Sequence, residues 1–267
     1  MKFVMMAGLP RSGSTLLQNI LAQNPRFHAT PTSNTAQVVD GIRKSWLSHA
    51  PSWVVDEKTD HQQMLGALSG CAKGKYLYTC RDVVFDKNRE WPHLYEIMNE
   101  ALGDAKIVMC VRPLVDICAS MEKVYRKNIA HYGKLISQEE VPTESTYERV
   151  KYWTGKGLVA GAYNVLHSFI ERDLQNRAYW VHYDELTKNP HRVIGGLYNY
   201  IGEEWDGMIH PIQNLIKEDD RYHGYRFLHQ VREGQILHEE SQATRILGEK
   251  CVTEITAQEP AWPRMVM

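Results

Sequence analysis

The chain opens MKFVMMAGLPRSGSTLL over residues 1–17, and this stretch decides the fold. After Lys2 comes a short, uninterrupted apolar run to residue 7, the pattern of a strand buried on both faces. Residues 8–13 carry Gly8, Pro10 and Gly13, which interrupt any regular element. From Ser14 to about residue 23, Leu16, Leu17, Ile20 and Leu21 recur at helical spacing. Strand, glycine loop and helix thus follow one another directly. In that arrangement successive backbone N–H groups and the positive end of the helix hold an anion mainly by main chain.

Residues 8–15, GLPRSGST, have the outline of the nucleotide-binding loop G-x-x-x-x-G-K-[ST], but Ser14 stands where the lysine belongs. A nucleotide triphosphatase uses that lysine on its β and γ phosphates and a neighbouring hydroxyl on magnesium. The only cation in this loop is Arg11, whose forked donors suit an oxyanion and need no metal. Ser12, Ser14 and Thr15 offer hydroxyl donors beside it. The loop therefore reads as an anion site without a metal.

Strand-like and helix-like stretches then alternate. Residues 29–35, ATPTSNT, read as irregular, followed by helical spacing over 35–47 and 60–72, an aromatic-rich strand at 75–80 and a helix at 91–102. AKIVMCV at 105–111 is a second strong strand, closed by Arg112-Pro113 and followed by a helix over 114–126. A long helical pattern covers 146–173, AYWVHY at 178–183 is the last clear strand, and a helix reaches residue 201. This alternation predicts an α/β fold, a mainly parallel sheet with helices on both faces. Beyond residue 202 the periodicity fades, and Arg221, Tyr222, His223, Tyr225 and Arg226 are expected in a lid-like loop.

The 267 residues, 43% hydrophobic and 24% charged, are expected to form a single domain over 1–267. A formal net charge of -1 supplies no general field for nucleic acid or a membrane surface, so neither is an expected partner. Five cysteines without a C-x-x-C pair, and histidines without ligand spacing, speak against disulfides and a zinc site. The apolar start is too short for a leader or a spanning helix, and a cytoplasmic protein is expected.

PRSGST at residues 10–15 resembles the first loop, P-[KR]-[ST]-G-[ST]-T, of the sulfotransferases that use 3′-phosphoadenosine 5′-phosphosulfate (PAPS). Its arginine form is like that of the protein-tyrosine and many bacterial members. The resemblance implies that Pro10, Arg11, Ser12, Gly13, Ser14 and Thr15 hold the 5′-phosphosulfate. A second shared element is IVMCVRPLVDICASM at 107–121, where Arg112 ends a strand and Ser120 follows eight residues later. By resemblance this pair grips the 3′-phosphate. FDKNREW at 85–91 is similar to the family's D-K-x-P segment, with the proline replaced by Arg89 or displaced to Pro92, and by this resemblance Lys87 is the catalytic cation on the bridging oxygen. HYDELTKNP at 182–190 is similar to a fourth segment and brings Tyr183 toward the nucleotide.

The resemblance implies sulfuryl transfer to a hydroxyl or amine of a small-molecule, carbohydrate or peptide acceptor, with adenosine 3′,5′-bisphosphate (PAP) as product. Relatives with this loop carry a basic glutamate some twenty residues later, where this chain has TPTSNT and no carboxylate. Asp40 is the first candidate for the base; His28, Asp56, Glu57 and His93 are others. A phosphotransferase with the same loop and an inactive nucleotide-binding relic are the alternative readings.

Overall fold

The computed structural model describes residues 1–49, 55–132, 141–223 and 225–264. Tyr222 and His223, two of the expected lid residues, have side chains outside the described set. Five parallel strands form one sheet in the order β2-β3-β1-β4-β5: β1 Lys2–Gly8, β2 Phe27–Thr32, β3 Val83–Lys87, β4 Lys106–Val111 and β5 Ala178–His182. Because β1 is central, the chain first fills one side, with β2 at the edge and β3 between it and β1, and then crosses to the other. That reversal opens a crevice at the carboxyl ends of the strands, the usual ligand position of an open parallel sheet.

Alternate residues of β1 feed two cores. Phe3, Met5 and Ala7 pack on one face with Trp91, Met98, Ile117 and Trp153. These come from α4 Trp91–Leu102, α5 Leu114–Tyr132 and α6 Thr146–Gly155. Val4 and Met6 pack on the other face with Leu17, Leu21, Ile194 and Leu197, from α1 Ser14–Leu21 and α9 Pro190–Ile201. Burial on both faces explains the continuous apolar strands.

Several expectations need correction. Residues 27–32 form the edge strand β2 rather than irregular chain, and Pro31 is tolerated because an edge strand need not donate on its free side. The aromatic stretch at 75–80 is not a strand. Leu77 and Tyr78 are 67% and 77% exposed in a short 3-10 turn, while only Tyr76 turns inward. The neighbouring strand is instead β3, VVFDK, paired with both β1 and β2. The helical pattern over 146–173 is split at residues 156–157 into α6 and α7 Leu158–Glu171, since Gly157, close after Gly155, weakens the helix there.

Two helices follow β2, α2 Thr35–Ser48, whose Gln37 lines the crevice, and α3 Glu57–Gly74. After β5 the chain turns directly into α8 Tyr183–Lys188 and then α9. The segment beyond residue 202 crosses the mouth of the crevice. It is pinned by paired hydrogen bonds between Ile212 and Gly234 and returns through α10 Ala243–Leu247 and α11 Glu249–Thr256 to pack on α5. Among the described residues no helix is long and apolar enough to cross a membrane.

Candidate active site

Adjacent strand ends build the site. The register levels Met6 with Lys87, Gly8 with Cys110 and Val111 with His182, so the glycine loop, Lys87, Arg112 and Tyr183 emerge at one edge of the sheet. They surround a cavity of about 450 Å³.

The loop after β1 depends on close backbone approach. Gly8 has φ 149°, and a Cβ there would overlap the Cys110 carbonyl. Gly13, at φ 86°, caps α1 in the left-handed region, and a Cβ would come 2.5 Å from the Tyr183 ring. Arg11 also has a positive φ, 58°, which is uncommon for a side-chain-bearing residue. That conformation turns the arginine into the cavity, with its Nε donating to Ser120 Oγ at 3.0 Å.

Arg112 reaches the same loop from β4. Its guanidinium lies 4.2 Å from the centre of the Tyr183 ring and donates to the Arg11 carbonyl at 3.3 Å. Its buried Nε has no hydrogen-bond partner among the described residues. Burial, and then repulsion from Arg112, pull the Arg11 guanidinium down to about 10. An anion between them would relieve that repulsion.

Lys87 ends β3 and is 8% exposed. Asp86, immediately before it and fully buried, accepts from Ser33 Oγ at 2.7 Å, Thr35 Oγ1 at 2.6 Å, Trp91 Nε1 at 2.8 Å and the Tyr76 hydroxyl. A carboxylate held from this many sides fixes the end of β3, and strand alternation sends Lys87 to the opposite side. Its Nζ meets Glu218 Oε2 at 2.9 Å. Burial lowers the Lys87 ammonium while Glu218 opposes the shift, and Arg89, also lowered by burial, faces Glu218 as well.

Of the sequence candidates, Pro10, Arg11, Gly13, Ser14, Thr15, Lys87, Arg112 and Tyr183 line the cavity. Ser120 meets it through Arg11. Ser12 does not: its buried hydroxyl donates to Leu9 O at 2.6 Å and closes the loop from within. Nor is Asp40 brought there. It lies on α2, held by Arg43 at 2.7 Å and Lys44 at 2.6 Å, and those cations keep its carboxyl below the usual range against the opposing effect of burial. Asp56 caps α3, His28 packs beside Tyr76 on β2, and His93 faces Glu90 outside the cavity lining.

Sequence reading missed the contribution of residues 218–232. Of the expected lid residues, Tyr225 is buried in the core, Arg226 lies 4.0 Å over Tyr132 and Arg221 pairs with Asp219. It is Leu228 to Arg232 that line the cavity. The dense polar and aromatic composition marked the region, but no periodicity could assign the individual residues.

The family model described as Sulfotransferase family matches residues 4–207. The chain belongs to the sulfotransferase family. The sulfotransferase domain from the curacin biosynthetic pathway has a similar fold, with TM-score 0.54, 15% identity and 97% of each chain covered. A sulfotransferase from Alicyclobacillus acidocaldarius is 14% identical over 82% of this chain and 86% of its own, with TM-score 0.47. Retinol dehydratase in complex with androsterone and inactive cofactor PAP matches 96% of this chain and 80% of its own at 10% identity and TM-score 0.48. Comparison with curated proteins gives no significant match.

Proposed function

We propose that this chain transfers the sulfuryl group of PAPS to a hydroxyl or amine of a small-molecule, carbohydrate or peptide acceptor, releasing PAP. The carrying observation is the convergence of Arg11, Arg112 and Lys87 on one glycine-lined cavity at the sheet's carboxyl edge. Each comes from a different strand end. Two anion grips linked by the Arg112–Arg11 contact suit a ligand with phosphate at two places.

In this reading the loop N–H groups and Arg11 hold the 5′-phosphosulfate. Arg112 and Ser120 hold the 3′-phosphate, with Tyr183 backing the guanidinium. Lys87 neutralises the bridging oxygen as the sulfur–oxygen bond breaks. Catalysis then rests on positioning and on charges fixed before reaction, as in phosphoryl transfer. The absence of a lysine at position 14 favours this donor over a magnesium triphosphate.

A thermal-shift titration tests the reading. PAP at one hundred times its dissociation constant should stabilise the chain by about 2.7 kcal/mol, a rise of about 5–10 °C for a domain of this size. Magnesium-ATP should do much less. A shift with magnesium-ATP and none with PAP would transfer the cavity to the phosphotransferase reading.

A further inference from the structure

A donor laid across the cavity engages three neighbouring strand ends: Arg112 after β4, the glycine loop after β1 and Lys87 at the end of β3. Adjacent strands stand about 4.8 Å apart, so these ends span about 10 Å. One strand end is left over. β2 lies on the far side of β3, with Thr32 in register with Lys87, and the cavity continues there along Thr32, Ser33, Gln37 and Arg89. This is the end of the cavity left for an acceptor.

Five lysine and arginine side chains line the cavity, and four are engaged. Arg11 donates to Ser120 Oγ at 3.0 Å and Arg112 to the Arg11 carbonyl at 3.3 Å. Lys87 meets Glu218 at 2.9 Å, and Arg232 meets Glu239 at 3.1 Å. Arg89 is half-buried and makes no hydrogen bond or contact ion pair with any described residue. Burial lowers its guanidinium, while the carboxylates of Glu218 and Glu90 oppose the shift only through space. Glu218 is engaged by Lys87, and Glu90 is 48% exposed beside His93. Taking a cation out of water without a partner is unfavourable, and an entering anion relieves that cost.

The turn that carries Arg89 is fixed. Asn88, 3% exposed, donates from Nδ2 to Ser33 O and to Gln37 Oε1, both at 2.6 Å. Its Oδ1 accepts the Glu90 amide at 2.9 Å, and its own amide donates to Met6 O at 2.9 Å. The Ser33 amide in turn donates to Lys87 O at 2.9 Å. A free cation on so constrained a turn is preorganised for a ligand.

We propose that Arg89 is the acceptor-side anion grip and that the acceptor carries a carboxylate beside its reacting group; this rests on the sulfuryl-transfer reading above. The planar guanidinium matches the two oxygens of a carboxylate as a fork. Lys87 feels the charge of Arg89, so a carboxylate seated there stands near the cation assigned to the leaving oxygen. The anchored carboxylate turns the reacting hydroxyl or amine toward the sulfur held by the loop. A neutral or cationic acceptor leaves the guanidinium without a partner, which is the source of selectivity.

The test uses the full chain, labelled PAPS and three probe acceptors of matched length: para-hydroxyphenylpropionate, its primary amide and para-hydroxyphenylpropylamine. PAP release is the readout. Wild type should favour the acid over the amide by about 10- to 150-fold in kcat/KM, with the amine poorest. Arg89→Met should bring the acid-to-amide ratio near one, and Arg89→Lys should restore part of it, while both bind PAP within about twofold of wild type. A weakening of PAP beyond tenfold in Arg89→Met would move the guanidinium to the donor. Equal slowing of acid and amide would move it to the sulfur; either result overturns the proposal. A second readout decides the matter even if every phenol is refused. The Arg89 Nε–H resonance, assigned by its loss in Arg89→Met, should shift saturably with acetate and not with acetamide, in the free chain and in the PAP complex. An indifferent resonance overturns the proposal. If wild type fails to bind PAP, the donor reading falls; normal PAP binding with acid and amide used alike sinks the acceptor assignment alone.

Discussion

Arg112→Ala removes a group whose contacts divide into structural and ligand-directed parts. The guanidinium rests on Tyr183 at 4.2 Å and makes one long hydrogen bond of 3.3 Å to the Arg11 carbonyl. Neither contact uses its buried Nε, which has no partner among the described residues. A hydrogen bond to a charged group contributes about 1.5–3 kcal/mol, so loss of a forked pair to phosphate should weaken PAP by about 3–4 kcal/mol, or several hundredfold. Arg11 will not compensate: lowered to about 10, it is already charged at neutral pH, and removing Arg112 only secures that charge. The assay is calorimetric titration of wild type and Arg112→Ala with PAP and with adenosine 5′-monophosphate, which lacks the 3′-phosphate. This cycle isolates the interaction of Arg112 with that phosphate. The variant should lose most of the preference for PAP while binding the monophosphate nearly as before. Equal losses for the two nucleotides would refute the 3′-phosphate assignment, and unchanged PAP affinity would refute any ligand role.

Two further outcomes follow from buried charge. Lys87→Met should slow transfer by about 100- to 1,000-fold and, by depriving the buried Glu218 carboxylate of its ammonium partner at 2.9 Å, lower stability by about 2 kcal/mol; adding Glu218→Gln should restore the melting temperature but not the rate, and recovery of both would make the pair merely structural. Glu259 accepts the Leu114 amide at 2.6 Å at the start of α5, and burial pushes its carboxyl up to about 6 from 4.5. A raised carboxyl binds its proton more tightly when folded, so its contribution is complete below the unfolded value and is lost as pH rises through about 6. The displacement corresponds to at most about 2 kcal/mol, reduced by partial exposure to about 1 kcal/mol. Glu259→Gln should therefore raise the melting temperature by about 3 °C at pH 8 and have little effect at pH 4; a difference independent of pH would exclude this linkage.

The legible parts of the fold are those where one segment carries its own signal. β1, β4 and β5 are buried on both faces and read as apolar runs, and α4 begins and ends where its spacing predicts. β2 and β3 escaped for separate reasons. FHATPT lies at the sheet edge with Thr32 and Pro31 exposed, so it lacks the apolar continuity of a central strand. VVFDK has that continuity, but its short span joins directly to the charged turn that drew attention to Lys87. Conversely, KYLYTC has strand-like composition with its outer side chains in solvent, because composition records what a residue tolerates and not what its neighbours cover.

The same distinction explains which half of the site was readable. Arg11, Lys87 and Arg112 each follow a strand, and parallel strands bring their ends to one edge regardless of the intervening length. Their convergence is thus a property of topology that local patterns can announce. His229 reaches the cavity, and Glu218 reaches Lys87, only because the chain beyond residue 202 folds back across the cavity, tied by single side chains such as Asn19 and Asn128. A lone asparagine leaves no periodic mark. It nevertheless has a strong effect here, because each anchors backbone polar groups that would otherwise be costly to bury. The half of the cavity built from strand ends can therefore be inherited as short motifs on the sheet, while the half lined by residues beyond 202 is set by long-range closure. Asp40 illustrates the consequence: a nearby carboxylate in sequence is held away by Arg43 and Lys44, whereas an imidazole more than two hundred residues from the loop stands beside Lys87 through Glu218.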